Sequence, residues 1–263
     1  MKFETRVIED GSSSAYVLVP EGLSANDPIV IYVHGYGVTT SRALEEYRLA
    51  EQFAESGIRA LYIVPEAPSG NGEGVAWPDL GQLLADVKAI MQGALPRGPV
   101  LVVGHSGAYR TLASWTNRNG HAVALLDGWY SGARQPFANW IKASSKNVLV
   151  LVGSSETGTD AKAFVAEMAP HYGDHLEFAD PAAMAALETF AKLLTMGFAA
   201  DQSTHMGLVT GGYWIPWTIR RLNEKARKAR ARAKLSWLAI GLGVTCAASV
   251  GVGAYAYSRR RAR

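Results

Sequence analysis

The sequence predicts an α/β fold built on a doubly wound, mostly parallel sheet. Short runs of Val, Ile and Leu alternate along the chain with longer helix-like segments. The middle runs are apolar without alternation, as expected of strands buried on both faces of a parallel sheet. With 263 residues, of which 48% are hydrophobic, the chain is long enough for one sizeable core and an appendage.

The individual elements follow from these runs. The strand candidates are residues 4–9, 15–19, 29–33, 59–64, 100–103, 123–126 and 148–152, and the main helix candidates are residues 41–56, 80–93 and 182–196. The first two strands are predicted to form an antiparallel hairpin at the edge of the sheet, because a polar turn at 10–13 joins them. Only residues 128–147 separate the last two strands, which leaves no room for a large cap domain.

A serine motif follows the strand at 100–103. Ser106 is flanked by Gly104 and Ala108, and a helix-like segment begins directly after them. A sharp strand-to-helix turn of this kind exposes a serine hydroxyl, and the small flanking residues let strand and helix approach closely. The turn also points the first N–H groups of the helix at the place where an oxyanion would form. Ser106 is therefore the candidate nucleophile.

A second turn completes a resemblance to a known family. The strand that ends at Val33 is followed by a His-Gly-Tyr-Gly turn that begins at His34. Together with the serine motif, this turn is similar to that of the α/β-hydrolase superfamily, over about residues 3–222. The resemblance implies a serine hydrolase whose oxyanion hole is formed by the backbone N–H groups of Tyr36 and Gly107.

The same resemblance implies that the other catalytic residues follow in the order acid, then histidine. His205 is the last histidine of the chain and lies in a polar loop, so it is the candidate base. Asp127 and Glu156 are the candidate acids, because each follows the end of a strand. We favour Asp127, which directly abuts its strand and would be held rigidly, over Glu156 on a softer loop; Asp160 is a third candidate.

A long irregular stretch at 65–78 leaves the end of another strand and is predicted to form one wall of the substrate pocket. Trp77 on this stretch and His34 at the oxyanion turn are the candidate substrate-binding residues. Because no lid is encoded and this wall is rich in glycine, the pocket is expected to be open.

The residue types favour acyl transfer without a cofactor. A serine nucleophile in this fold is typical of enzymes that cleave esters, thioesters or amides. No His-x-x-x-His pair lies on a predicted helix, the chain has a single cysteine, and no glycine-rich loop carries the lysine of a phosphate-binding site. The sequence therefore predicts no metal and no cofactor, and a small-molecule or lipid-like acyl substrate.

The charge pattern changes abruptly near residue 220. Residues 1–219 carry 14 Lys/Arg and 22 Asp/Glu, a net charge of −8, whereas residues 220–263 carry 12 and 1, a net charge of +11. Residues 235–257 include no charged residue and are numerous enough to span a bilayer as a helix. A basic run that directly adjoins an apolar span favours a lipid partner over a nucleic acid.

These features divide the chain into a catalytic domain (1–222), a basic juxtamembrane linker (223–234), a transmembrane helix (235–257) and a basic tail (258–263). The heavier positive cluster precedes the span, which predicts a single-pass C-terminal anchor with the catalytic domain facing the cytoplasm. The absence of an apolar signal segment at residue 1 agrees with that orientation.

One face of the predicted span would allow close contact with a second copy of the chain, because small residues recur on it at intervals of four. These residues are Ala239, Gly243, Ala247 and Gly251. The predicted function is that of a membrane-anchored serine hydrolase that cleaves an ester (carboxylester, lipid-like or thioester) through a Ser-His-Asp triad and an acyl-enzyme. The alternatives are a peptidase or amidase of the same fold and a non-catalytic module that recruits partners to the membrane.

Overall fold

The computed structural model describes residues 1–10, 13–93, 95–154, 157–181 and 204–233. Its strands are β1 (Phe3–Asp10), β2 (Ser13–Pro20), β3 (Ile29–Val33), β4 (Leu61–Pro65), β5 (Val100–His105), β6 (Ala122–Leu126), β7 (Val148–Val152) and β8 (Leu176–Ala179). They form one 8-stranded sheet in the order β1-β2-β4-β3-β5-β6-β7-β8. Strand β2 is antiparallel to both of its neighbours and all other pairs are parallel, which confirms the predicted sheet and its edge hairpin.

Helices cover both faces of the sheet. They are α1 (Thr40–Glu46), α2 (Leu49–Glu55), α3 (Leu80–Ile90), α4 (Tyr109–Ser114), α5 (Arg134–Ala143), α6 (Gly158–Tyr172), α7 (Gly207–Thr210) and α8, which is described over residues 214–233. Alternate residues of the central strands face two separate apolar clusters. Ile31 and Val102 belong to one cluster, and Val30 and Val103 belong to the other. This two-sided burial explains why the strands are continuously apolar in sequence.

The structure differs from the sequence prediction in two elements. The helix predicted over 41–56 is divided, because Arg48 adopts a left-handed conformation (φ 51°) between α1 and α2. The break turns Leu49 and Phe53 into the apolar cluster, where both are fully buried. Strand β8 was not predicted, since four residues at a sheet edge give too short a pattern to distinguish from a loop. The helix predicted over 182–196 lies outside the described residues.

Helix α8 includes the described part of the segment that the sequence assigns to a basic linker. It runs from 214 to 233 without a break at 222, and Leu222, Ala226 and Ala229 are buried against the domain. The spacing of these residues is that of one helix face, so the cations between them lie on the outer faces of a packed helix.

No helix among the described residues is both long and apolar enough to cross a membrane. The predicted transmembrane helix at 235–257, with its small-residue face, lies outside the described residues, as does the basic tail.

Candidate active site

Ser106 lies directly after β5, at the turn into the helix that follows. Its backbone is left-handed (φ 52°), a conformation that is costly for a residue with a Cβ atom and that raises its side chain clear of the strand. Strand and helix approach so closely that a Cβ atom on Gly104 would lie 2.8 Å from Leu112 Cδ2. The packing of strand against helix therefore requires a small residue at position 104.

His205 and Asp127 meet beside this turn. Asp127 directly follows β6 and is fully buried, and its Oδ2 lies 2.9 Å from Nδ1 of His205. Of the other two candidate acids, Asp160 lies exposed in the first turn of α6, and Glu156 is outside the described residues. Asp127 is therefore the described carboxylate that contacts the histidine.

The loop after β7 holds the Asp127 carboxylate in place. The backbone N–H of Ser154 and the hydroxyl of Thr157 each donate to Asp127 Oδ1 at 2.6 Å, and the Ser154 hydroxyl donates to Oδ2. Burial by itself would raise the pKa of Asp127, but the hydrogen bonds from His205, Ser154 and Thr157 outweigh it and lower the pKa to about 2. The carboxylate therefore stays ionised beside His205 at neutral pH.

His105 was not among the residues singled out from the sequence, yet it contacts the candidate base. Its Nε2 lies 3.0 Å from the backbone carbonyl of His205 and must carry the proton, because a carbonyl only accepts. The two imidazole rings are 4.5 Å apart. Burial, with a further contribution from His205, lowers the pKa of His105 to about 3, so this ring is neutral. Its place just before the serine was the only sequence signal for this role.

The two predicted oxyanion residues lie next to each other and to the serine. A Cβ atom on Gly107 would lie 2.5 Å from Tyr36 Cδ1, and one on Gly35 would lie 2.9 Å from Ser106 Cβ. Only glycine allows the turn after β3 to approach the serine this closely. The structure therefore brings together Ser106, Tyr36 and Gly107, as well as His205 and Asp127.

Comparisons with known proteins agree with this architecture. No family model matches the sequence, and no curated protein matches it. Among solved structures, brefeldin A esterase, a bacterial homologue of human hormone sensitive lipase, is similar with a TM-score of 0.50 and 16% identity over 89% of this chain and 77% of that chain. The chain therefore has the fold of the α/β-hydrolases.

Further similar structures have lower scores. A predicted CIB-like hydrolase from Thermoplasma acidophilum has a TM-score of 0.49 and 14% identity over 84% of this chain and 98% of that chain. An esterase from Pyrococcus furiosus has a TM-score of 0.46 and 16% identity over 67% of this chain and 81% of that chain. Likeness at such low identity concerns the fold alone and says nothing about the chemistry of the site.

The two candidate substrate-binding residues are buried. Trp77 is 4% exposed, and its indole N–H donates to the Ser14 carbonyl at 3.1 Å. His34 is fully buried. Its Nδ1 lies 2.8 Å from the Gly35 carbonyl oxygen, and its Nε2 accepts a hydrogen bond from the Ala67 N–H. Trp77 thus anchors the loop at 65–78 to the core, and His34 holds the oxyanion turn to the start of that loop. These contacts indicate structural roles for both residues, and their binding of the substrate stays a prediction.

Arg110 connects α4, the helix that follows Ser106, to the loop at 65–78. Its guanidinium donates to the carbonyls of Gly70, Asn71 and Glu73 at 3.2, 3.3 and 2.8 Å, and to the Tyr36 hydroxyl at 3.3 Å. The planar donor fork of arginine suits several acceptors at once. Arg110 therefore fixes the predicted pocket wall relative to the oxyanion turn, a role that the sequence did not reveal.

Proposed function

We propose that the protein is a serine hydrolase that cleaves esters through an acyl-enzyme, with Ser106 as nucleophile, His205 as general base and Asp127 as the residue that orients His205. The observation that supports this proposal most directly is the 2.9 Å contact between His205 Nδ1 and Asp127 Oδ2 beside a serine held in a left-handed turn. Because Nδ1 of His205 donates its proton to the Asp127 carboxylate, Nε2 is the ring nitrogen that can accept a proton.

In the proposed reaction, Ser106 Oγ attacks the acyl carbonyl while His205 Nε2 takes the hydroxyl proton. The negative charge that develops on the carbonyl oxygen is stabilised by the N–H groups of Tyr36 and Gly107. Collapse of this intermediate breaks the ester bond, and His205 returns the proton to the departing alcohol or thiol. Water then repeats the sequence on the acyl-enzyme, which releases the acid and restores Ser106.

We further propose that residues 235–257 anchor the chain in a membrane, with the catalytic domain on the cytoplasmic side. The uncharged length of this segment and the excess of basic residues before it support the proposal. The substrate class remains an acyl ester, which includes carboxylesters, lipid-like esters and thioesters, and dimerisation through the small-residue face is part of the same proposal.

Labelling and turnover test the proposed chemistry. The full chain in neutral detergent is treated with a fluorophosphonate probe and assayed on p-nitrophenyl esters of increasing acyl length. We expect Ser106→Ala to abolish labelling, and Ser106→Ala and His205→Ala to lower kcat by about 10⁴-fold or more. A folded wild-type chain that neither reacts with the probe nor turns over any ester would contradict the proposal and favour the recruitment module.

A further inference from the structure

An open cavity of about 1030 Å³ lies at the edge of the sheet opposite to Ser106. Its walls come from the segments that enter the parallel strands: residues 97–99 before β5, 119–120 before β6, and 144–146 before β7. The last described turns of α8 close the remaining side. Since Ser106 follows the carboxyl end of β5, the sheet separates this cavity from the candidate active site.

Among the described residues, the cavity is lined by cations and by no carboxylate. Arg97, Lys146, Arg227 and Arg230 lie along its wall, and the other lining residues are neutral. Among the described residues, none of these cations forms an ion pair with a carboxylate within 4.0 Å. Uncompensated positive charge around a concave surface raises the local concentration of anions.

The opposite flank of α8 shows that this lack of compensation is local. There, Arg221 and Lys225 pair with Glu177 at 2.8 and 3.1 Å, and Arg232 pairs with Asp174. The domain therefore neutralises the cations on one flank of the helix and leaves those on the cavity flank without acidic partners in the described chain.

Arg230 is the most enclosed of the cavity cations. It is partly buried, and its guanidinium donates to the Arg97 carbonyl at 3.2 Å. Burial and the neighbouring Arg227 both lower its pKa, which shows that its surroundings disfavour the positive charge. An anion bound in the cavity would relieve this cost.

The cavity also lies where the chain leaves the described domain. Ala233 is one of its lining residues, and the uncharged stretch begins at residue 235. Two residues span at most about 7 Å, so the start of the proposed membrane segment is close to the cavity whatever its conformation. A ligand of the cavity can therefore be a component of the membrane surface.

We propose that this cavity binds the phosphate groups of anionic phospholipids, so that the domain rests on the bilayer by the amino-terminal edge of its sheet and the candidate active site is directed away from the membrane. The inference depends on the proposed membrane anchor and is independent of the proposed chemistry. A consequence is that substrate enters from the aqueous side.

Thermal unfolding of the full chain in a neutral detergent, followed by tryptophan fluorescence, measures the binding. Short-chain phosphatidylglycerol, phosphatidylcholine or inorganic phosphate is added at matched concentration. We expect phosphatidylglycerol to raise Tm by several degrees and phosphatidylcholine to have little effect. Arg227→Gln/Arg230→Gln removes two cations, so it should need about 30-fold more phosphatidylglycerol for the same shift, by the usual contribution of about 1 kcal/mol per cation at an anionic surface.

Matched variants make the result interpretable. Lys88→Gln/Lys162→Gln removes the same charge from exposed sites outside the cavity and should respond like the wild type. Lys146→Gln alters one exposed cavity residue and should weaken binding even if the double variant fails to fold. An equal response of all variants would overturn the proposal, and an equal response to inorganic phosphate would replace the lipid by a soluble phosphate.

Ester hydrolysis measured on the same samples separates this inference from the proposed function. A wild-type chain that hydrolyses esters but does not respond to phosphatidylglycerol contradicts only the cavity, whereas a wild-type chain that responds to phosphatidylglycerol but hydrolyses no ester contradicts only the chemistry. In vesicles, a fluorophore at Lys146→Cys should be quenched by headgroup nitroxides and one at Ser69→Cys should not, with Cys246→Ser in both. Equal quenching at the two positions would overturn the proposed orientation.

Discussion

At the scale of single residues, Asp127 illustrates how a buried carboxylate is kept ionised. It is fully buried, but its oxygens accept hydrogen bonds from Ser154, Thr157 and His205. The loop after β7 therefore contributes donors to a carboxylate that follows β6. The sequence predicts only a candidate acid, Glu156, on this loop. A residue that donates a hydrogen bond to an acid far along the chain leaves no local sequence pattern.

Asp127→Asn tests the orienting role. The amide would carry no charge to stabilise an imidazolium and would favour the wrong tautomer of His205, so we expect kcat on p-nitrophenyl acetate to fall by about 10³- to 10⁴-fold. Glu156→Gln is the matched control and should change kcat by less than about threefold. A larger loss from Glu156→Gln than from Asp127→Asn would reassign the acid.

Arg110→Ala tests the positioning role of the arginine on α4. Without its hydrogen bonds, the loop at 65–78 and the Tyr36 ring lose their common support, and we expect kcat/KM to fall by about 10- to 100-fold, chiefly through KM. Arg110→Lys should recover only part of the loss, because an ammonium cannot reproduce the fork. Tyr36→Phe, which removes only the hydroxyl, should have a small effect, and fluorophosphonate labelling of Ser106 should persist in all three variants. An unchanged KM in Arg110→Ala would exclude the role.

At the scale of elements, α8 shows that a basic segment can belong to a packed domain. Its cations dominate the sequence of 220–234, whereas its buried face consists of small and aliphatic residues at helical spacing. Leu222 is fully buried and Ala226 and Ala229 are nearly so. A protein truncated after residue 222 would expose the apolar surface that Ala226 and Ala229 cover.

Leu222→Ala should lower the free energy of unfolding of the full chain by about 2–4 kcal/mol, because it removes buried methyl groups and leaves a cavity. The neighbouring substitution Asn223→Ala should cost less than about 1 kcal/mol, since that side chain makes only an exposed hydrogen bond to Arg227. Urea titration measures both values. Equal costs for the two substitutions would show that α8 does not pack through this face.

At the scale of the whole molecule, buried neutral histidines couple folding to pH. Burial lowers the pKa of His105 to about 3 and that of His121 to about 4, whereas an unfolded histidine titrates near pH 6.5. Below pH 6.5 the unfolded chain therefore binds protons that the folded chain does not. The pKa of Asp127, which hydrogen bonds from His205, Ser154 and Thr157 lower to about 2, favours the folded state until the pH falls below about 4.

The free energy of unfolding should accordingly decrease as the pH is lowered from 6.5 to 4.5. His121→Gln should reduce this slope by about 1.4 kcal/mol per pH unit, which corresponds to one proton. His171→Gln, on the exposed surface of α6, removes a histidine that is not buried and serves as the matched control. Urea titrations across this pH range provide the measurement, and parallel slopes for wild type and His121→Gln would contradict the assignment.

Much of the molecule was predictable because its signals are local. Continuous apolar runs indicate buried parallel strands, and the small residues around Ser106 indicate a tight strand-to-helix turn, since both depend on neighbours within a few positions. The sequence by itself therefore determined the fold class, the candidate nucleophile and the oxyanion turn. It also placed Asp127 and His205 among the candidates for the acid and the base.

Only the tertiary structure decided which of these candidates meet. Asp127 and His205 are 78 positions apart and His105 and His205 are 100 apart, so their contacts depend on the order of the strands rather than on a local pattern. The same holds for the donors to Asp127, for the burial of Trp77 and His34, and for the cations of α8 that have no carboxylate partner in the described part of the chain. Local periodicity determines which elements form, whereas the packing of distant elements determines which side chains share a site.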